Sequence, residues 1–225
     1  MALTADERPP SVLEARCLYR FFRSGDEETL ALRGVSLTVA PGEFVAVTGP
    51  SGSGKSTLLS CMAGMDDPDG GDVTIAGRRI SHRPEAERAR VRGRHIGMLF
   101  QNANMIEHLT VAGNLFLARS LVKRSRDKTD LLRSLGIGDR STAYPSQLSG
   151  GELARAGLAI ALANDPSVLL ADEPTGELDS VTEARILDLL TATAKRGTAV
   201  IVASHSPAVA AVATRVVRLD DGVLC

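Results

Sequence analysis

The run Gly49-Pro50-Ser51-Gly52-Ser53-Gly54-Lys55-Ser56-Thr57 combines the groups that a polyphosphate requires: a flexible backbone, one ammonium and several hydroxyls. Glycines let successive N–H groups turn inward, and a helix beginning behind them adds its dipole, so such a loop forms an anion cradle. Phe44-Val45-Ala46-Val47 ahead of it reads as a strand, and Leu58 and Leu59 after it read as a helix start, which is the context the motif demands. Lys55 is then expected to bridge the β- and γ-phosphates of a nucleoside triphosphate, and Ser56 to hold Mg²⁺. The competing explanation is a Gly/Ser-rich turn without chemistry. A chance match to the four fixed positions in a chain of this length is on the order of 1%, and the flanking strand and helix lower that further.

A second constellation ends an apolar run, Val168-Leu169-Leu170-Ala171-Asp172-Glu173. Open α/β sheets present ligands at the carboxyl ends of their strands. Asp172 is therefore expected to reach Mg²⁺, directly or through water, and Glu173 to orient or deprotonate an attacking water. Alone, the pair would read as the turn before Pro174; beside a phosphate loop, the catalytic reading prevails.

The surrounding pattern supplies the scaffold. Residues 12–18, 35–39, 43–48, 72–75 and 96–100 are short β-branched or alternating runs bounded by Gly, Pro and Asp, and read as strands. From 109 to 135 the apolar spacing turns helical. A helix over 151–163, a strand over 168–171, a helix over 181–195, a strand over 198–203, a helix over 207–213 and a strand over 215–219 complete a β-α-β alternation. The expected fold is an α/β phosphate-loop core with a β-rich subdomain and an inserted helical subdomain: a single domain over 1–225, with 1–100 and 165–225 as β lobe and core and 101–164 as the helical part.

A net charge of −1 offers no bulk attraction to nucleic acid or anionic lipid. Cys17, Cys61 and Cys225 are widely spaced, with no C-x-x-C pair, and read as free thiols in a reducing compartment. Residues 1–10 hold Asp6, Glu7 and Arg8 and no apolar core of the signal-peptide kind, so the chain is expected to remain cytoplasmic. The uncharged stretch 197–214 is interrupted by Ser204-His205-Ser206-Pro207 and reads as strand, turn and short helix rather than a membrane span.

Between the loop and the acidic strand end lies Leu148-Ser149-Gly150-Gly151-Glu152, which resembles the signature of ABC-type ATP-binding subunits. The resemblance extends over nearly the whole chain: Gln101 matches the Q-loop, Gly176-Glu177-Leu178-Asp179 the D-loop, and His205 the switch histidine. It implies an ATPase using ATP and Mg²⁺, with Ser149, Gly150, Gly151 and Glu152 of one subunit closing over ATP held by another in a head-to-tail dimer with itself or a related ATPase subunit. His205 would contact the γ-phosphate and hold Glu173 and water in line. Gln101 would sense Mg²⁺ and relay that state to an integral-membrane permease, Phe22 would stack on adenine, with Tyr19 and Phe21 as near alternatives, and Asp179 would lie at the dimer seam. The runs 30–37, 144–147 and 171–176 look most like the MacB/LolD/FtsE group, whose members drive efflux, lipoprotein release or mechanotransmission from the cytoplasmic face of the membrane. The chain departs from the pattern at Glu152-Leu153-Ala154, Ile160 and Gly113, and none of these departures removes a phosphate or metal ligand.

Rival readings are weaker. The arginine-rich stretch from Arg78 to Arg94 lacks interleaved aromatics for stacking on bases, and Glu85 and Glu87 make it read as a solvated helix rather than a nucleic-acid site. A soluble ABC ATPase outside transport usually carries two cassettes or a coiled coil, and neither is present. A regulatory, non-hydrolysing subunit would not need Lys55, Asp172, Glu173 and His205 together. The Asp127-Lys128-Thr129-Asp130 segment lies in a polar stretch, unlike a guanine-reading motif after a buried strand.

Overall fold

The structure is a computed structural model describing residues 11–24, 27–100, 105–120, 122 and 129–225. A six-stranded sheet is built from β3 (Phe44–Thr48), β6 (Ile96–Leu99), β7 (Val168–Asp172), β8 (Ala199–Ala203), β9 (Arg215–Asp220) and β10 (Val223–Leu224), in the order β10-β9-β3-β8-β7-β6. Its strands from β9 to β6 are parallel, and β10 folds back antiparallel on β9. A four-stranded antiparallel sheet, ordered β2-β1-β4-β5, comprises β1 (Leu13–Ser24), β2 (Glu27–Val39), β4 (Gly70–Ile75) and β5 (Arg78–Arg79).

Parallel strands covered on both faces read as continuous apolar runs, and alternate residues divide between two cores. Val45 and Val47 of β3 and Val168 and Leu170 of β7 join one core, which also holds Leu13, Leu18 and Ile75 of the antiparallel sheet. The helix α1 (Lys55–Met62) fills the space between the two sheets through Leu58, Leu59, Cys61 and Met62. Phe44, Ala46, Leu169 and Ala171 point to the opposite core, against α5 (Gly150–Ala161) and α6 (Ser180–Lys195).

The remaining helices are α2 (Glu85–His95), α3 (Val111–Ser120), α4 (Thr129–Ser134) and α7 (Pro207–Val212). As read from its composition, α2 is a helix with no buried residue, and Glu85 pairs with Arg88 and Arg92; Glu87 makes no ion pair among the described residues. The helical pattern expected over 109–135 is divided between α3 and α4. The start of α3 is secured by buried Asn114, whose amide donates to the carbonyls of Ile106, Leu109 and Thr110 and whose oxygen accepts from the Ile106 N–H.

β1 and β2 run well beyond the expected 12–18 and 35–39. Register shifts near Leu18, Tyr19 and Phe21, together with a left-handed Cys17 (φ 48°), break the period-two alternation by which a strand is recognised. No helix of the described residues is long and apolar enough to cross a membrane; 197–214 forms β8, a turn and α7, as expected.

Candidate functional site

Three adjacent parallel strands, β3, β8 and β7, end at one edge of the sheet, and each carries part of the expected chemistry at or just beyond its last residue. Backbone bonds lock these ends together: Ser204 N–H donates to the Val47 carbonyl (3.1 Å) and Glu173 N–H to the Ala203 carbonyl (2.9 Å). The loop after β3, the carboxylates after β7 and the Ser204-His205 pair after β8 therefore share one crevice mouth.

The loop itself shows why its residues are glycines. A Cβ on Gly49 would lie 2.0 Å from the Leu219 carbonyl oxygen, and one on Gly54 would lie 2.4 Å from that of Ala31. Gly54 also caps α1 at φ 101°, a left-handed conformation that costs glycine little. Lys55 is 9% exposed, and its ammonium donates to the carbonyls of Gly49 (2.8 Å) and Pro50 (2.9 Å), leaving a third donor for an anion. Ser53 Oγ is buried without a hydrogen-bond partner, which suits a loop whose polar atoms are completed by a ligand. Gly52 opens on free space, and Ser51 and Ser56 are exposed.

Glu173 sits in the left-handed region (φ 45°), a strained placement for a non-glycine residue. Both carboxylate oxygens have partners: Oε1 lies 2.9 Å from His205 Nδ1, and Oε2 accepts from Ser204 Oγ at 2.9 Å. Behind them, Glu183 of α6 accepts from Ser206 Oγ (2.7 Å) and Thr175 Oγ1 (3.0 Å) on one oxygen, tying the turn after β7 to the turn after β8. Asp172 ends β7 half-buried, and neither its carboxylate nor the Ser56 hydroxyl has a hydrogen-bond partner among the described residues. One hydroxyl and one carboxylate with free lone pairs suit Mg²⁺, which takes few protein ligands and completes its shell with phosphate oxygens and water. No cluster of three or more His, Cys, Asp or Glu occurs among the described residues.

The signature-like residues lie apart from the loop. Ser149 caps α5 in a reciprocal box: Ser149 N–H and Oγ donate to Glu152 Oε2 (2.9 and 3.1 Å), and Glu152 N–H donates to Ser149 Oγ (3.4 Å). These Ser149 bonds, the backbone one foremost, and the Arg140 guanidinium at 2.8 Å hold the Glu152 carboxyl down at about 2. Ser149 and Gly150 are exposed, and no hydrogen bond joins them to the phosphate loop. Gly151 permits close packing, since its Cβ would come within 2.5 Å of Thr182 Cγ2. Asp179 caps α6, accepting from the N–H groups of Val181 (3.0 Å) and Thr182 (3.1 Å) and from Thr182 Oγ1 (2.7 Å). The Thr182 bonds lead in lowering its carboxyl below the ordinary range.

Phe22 is exposed on β1, and the Arg20 guanidinium stands 4.9 Å from its ring centroid. Asp66 (3.0 Å) and Asp69 (3.1 Å) hold Arg20 in place. Tyr19 instead lies against Gly34 and Gly70, where added Cβ atoms would meet its ring or hydroxyl. Gln101 lies outside the described residues. The reading from sequence missed Ser204, Ser206, Thr175 and Glu183. The polar run after β8 gave a signal for Ser204, whereas nothing local marks Glu183, which arrives from a helix.

A phosphate loop on β3 with acidic and histidine groups on neighbouring strand ends defines an α/β nucleoside-triphosphatase core. A profile of the ABC transporter family matches residues 32–176. An uncharacterized ABC transporter ATP-binding protein of Methanocaldococcus jannaschii is 38% identical over 216 residues, covering 94% of this chain and 96% of that protein. The macrolide export ATP-binding/permease protein MacB of Rhodopirellula baltica is 42% identical over 215 residues, 92% of this chain but 31% of that much longer protein. Among solved structures, the ATP-binding cassette MJ0796, in a dimeric post-hydrolysis state bound to ADP and Pi, superposes with a TM-score of 0.87 at 32% identity, covering 94% of this chain and 96% of that one. The chain belongs to the ABC transporter family, as an ATP-binding cassette and an ATPase.

Proposed function

We propose that the chain works as one half of a head-to-tail dimer that encloses two ATP and drives a separate integral-membrane permease from the cytoplasmic face. As a single ABC ATP-binding domain over 1–225, it would use 101–164 as the arm that carries the signature. The observation that carries this reading is the division of the phosphate-binding groups: a cradle around Lys55 and an exposed helix start at Ser149, with no bond between them in one chain. Two copies related by a twofold axis bring each Ser149 to the other copy's cradle.

In this mechanism Gly49 to Thr57 bind the phosphates, Lys55 neutralises the β- and γ-phosphate charge, and Ser56 and Asp172, with Gln101, hold Mg²⁺. That ion supplies charge neutralisation on the transferring phosphoryl group. Glu173 takes a proton from water as the water oxygen bonds to the γ-phosphorus. The bond to the bridging oxygen breaks, releasing ADP and phosphate. His205 holds Glu173 and the γ-phosphate in line, Phe22 stacks on the adenine, and Glu152 and Asp179 lie at the dimer seam. Loss of the γ-phosphate removes the attraction between subunits.

A groove of about 1420 Å³ between α2, α3 and α5, with apolar residues such as Met98, Phe100 and Ile160 beside charged ones such as Arg90, Arg94 and Glu87, supports a permease contact. Phe100 of this groove directly precedes Gln101 in the sequence. Similarity to MacB supports efflux, lipoprotein release or mechanotransmission as the work performed. The test is Glu173→Gln in the full chain: ATP binding stays near the wild-type level while turnover falls about 100-fold or more. Turnover at the wild-type rate would remove Glu173 from the reaction.

A further inference from the structure

We infer that Ser204 is a positioning residue for hydrolysis, fixing the carboxylate of Glu173 in the orientation from which it accepts the proton of water. The inference rests on the assignment of Glu173 above and adds to it a group that no motif supplies. Ser204 is 1% exposed, so solvent does not compete for its hydroxyl. One of its lone pairs is occupied by the Ser206 N–H (3.1 Å). Its own O–H lies 2.9 Å from Glu173 Oε2 and is the donor in that contact, because an ionised carboxylate can only accept. A hydroxyl held on one side by a backbone amide is a directional donor rather than a free rotor.

Two fixed donors, on different oxygens, define the plane of a carboxylate. His205 supplies the first at 2.9 Å, but its side chain is 73% exposed. Ser204 supplies the buried second, and its own position is braced. The Ser206 N–H that holds it belongs to a residue anchored through Oγ to Glu183 (2.7 Å), the same oxygen that accepts from Thr175 (3.0 Å) two residues beyond Glu173. Glu173 also carries a left-handed backbone, a strained conformation that persists only where the surrounding structure holds it. The remaining lone pairs of Oε1 and Oε2 then face the crevice in a set direction, the condition for efficient proton transfer.

The test is steady-state ATP hydrolysis by the full chain carrying Ser204→Ala, Ser204→Thr or Ser204→Cys, with Glu173→Gln alongside. Ser204→Ala is expected to lower kcat about 10- to 100-fold, with KM for ATP changed by less than about twofold. Ser204→Thr, which keeps the hydroxyl, recovers at least about half of the rate. Ser204→Cys keeps the shape with a weaker donor, falls between the two, and serves if the alanine variant does not fold. Ser204→Ala turnover within about twofold of wild type, an equal loss in Ser204→Thr, or a loss expressed in KM would overturn the inference. If Glu173→Gln itself turns over at the wild-type rate, the base assignment fails. If it is slow while Ser204→Ala is not, only the role of Ser204 fails.

Discussion

Two helix starts in this molecule pair glycine with a hydroxyl residue, and they differ in what already fills them. At the start of α1 the loop curls around Lys55, whose buried ammonium donates to two loop carbonyls, and Ser53 Oγ is left without a partner. At the start of α5 the helix end is closed by its own carboxylate, with Glu152 accepting from Ser149 twice and leaning on Arg140. The first is a cationic cradle assembled within one chain. The second is an exposed tip that carries a negative charge where a γ-phosphate is proposed to approach. In the proposed dimer the contrast assigns most of the affinity for nucleotide to the loop of each copy, with the signature adding a weaker contact whose strength would depend on how Glu152 gives way.

The largest break in this comparison is expected from the cradle. Lys55→Ala removes the only loop cation and should weaken ATP binding about 100-fold or more, read by calorimetry at concentrations where the chain is monomeric. Unchanged affinity would move the binding energy out of the loop. Next in size, Gly151→Val forces a side chain onto Thr182 and should cost about 1–3 kcal/mol of stability, seen as a lowered Tm, with ATP binding by the monomer retained.

Phe22→Ala removes an exposed ring that touches the base but no phosphate in the proposed complex. It should weaken ATP about 2- to 10-fold and leave inorganic tripolyphosphate unaffected. The smallest effect sharpens the comparison most. Glu152→Gln keeps the cap geometry and removes the charge, so ATP-driven association measured by ultracentrifugation should tighten roughly two- to fivefold, more at low salt than at high. The pH dependence has a defined sign. With its carboxyl held at about 2, below an unfolded value near 4.5, Glu152 contributes stability that is present above about pH 4.5 and lost as pH falls toward 2. An NMR titration of Glu152 should show that low midpoint, and Arg140→Ala should raise it.

The cradle was legible in the sequence because its chemistry is contiguous: one strand, one loop and one helix start hold every group. The acidic strand end was legible for the same reason, and a buried strand such as Leu169-Leu170-Ala171 announces itself by composition. The support around Glu173 was not, because Ser204 and Glu183 reach it from other elements and no spacing rule links them. The full length of β1 and β2 was hidden by bulges that scramble the alternation, with Tyr19, Phe21 and Phe22 left exposed. Asp179 shows a missed local signal: an aspartate directly before Ser180-Val181-Thr182-Glu183 is a helix cap in its own right, and the structure uses it so.

The central claim, that two copies close on shared ATP, is tested most directly by the mass of the Glu173→Gln chain in solution with and without ATP and Mg²⁺. The account predicts a monomer without nucleotide and, with it, a dimer retaining two ATP that is lost when Ser149 is replaced by a bulky residue such as Phe. A chain that binds ATP through Lys55 yet remains monomeric at all accessible concentrations, or a dimer indifferent to Ser149→Phe, would contradict it.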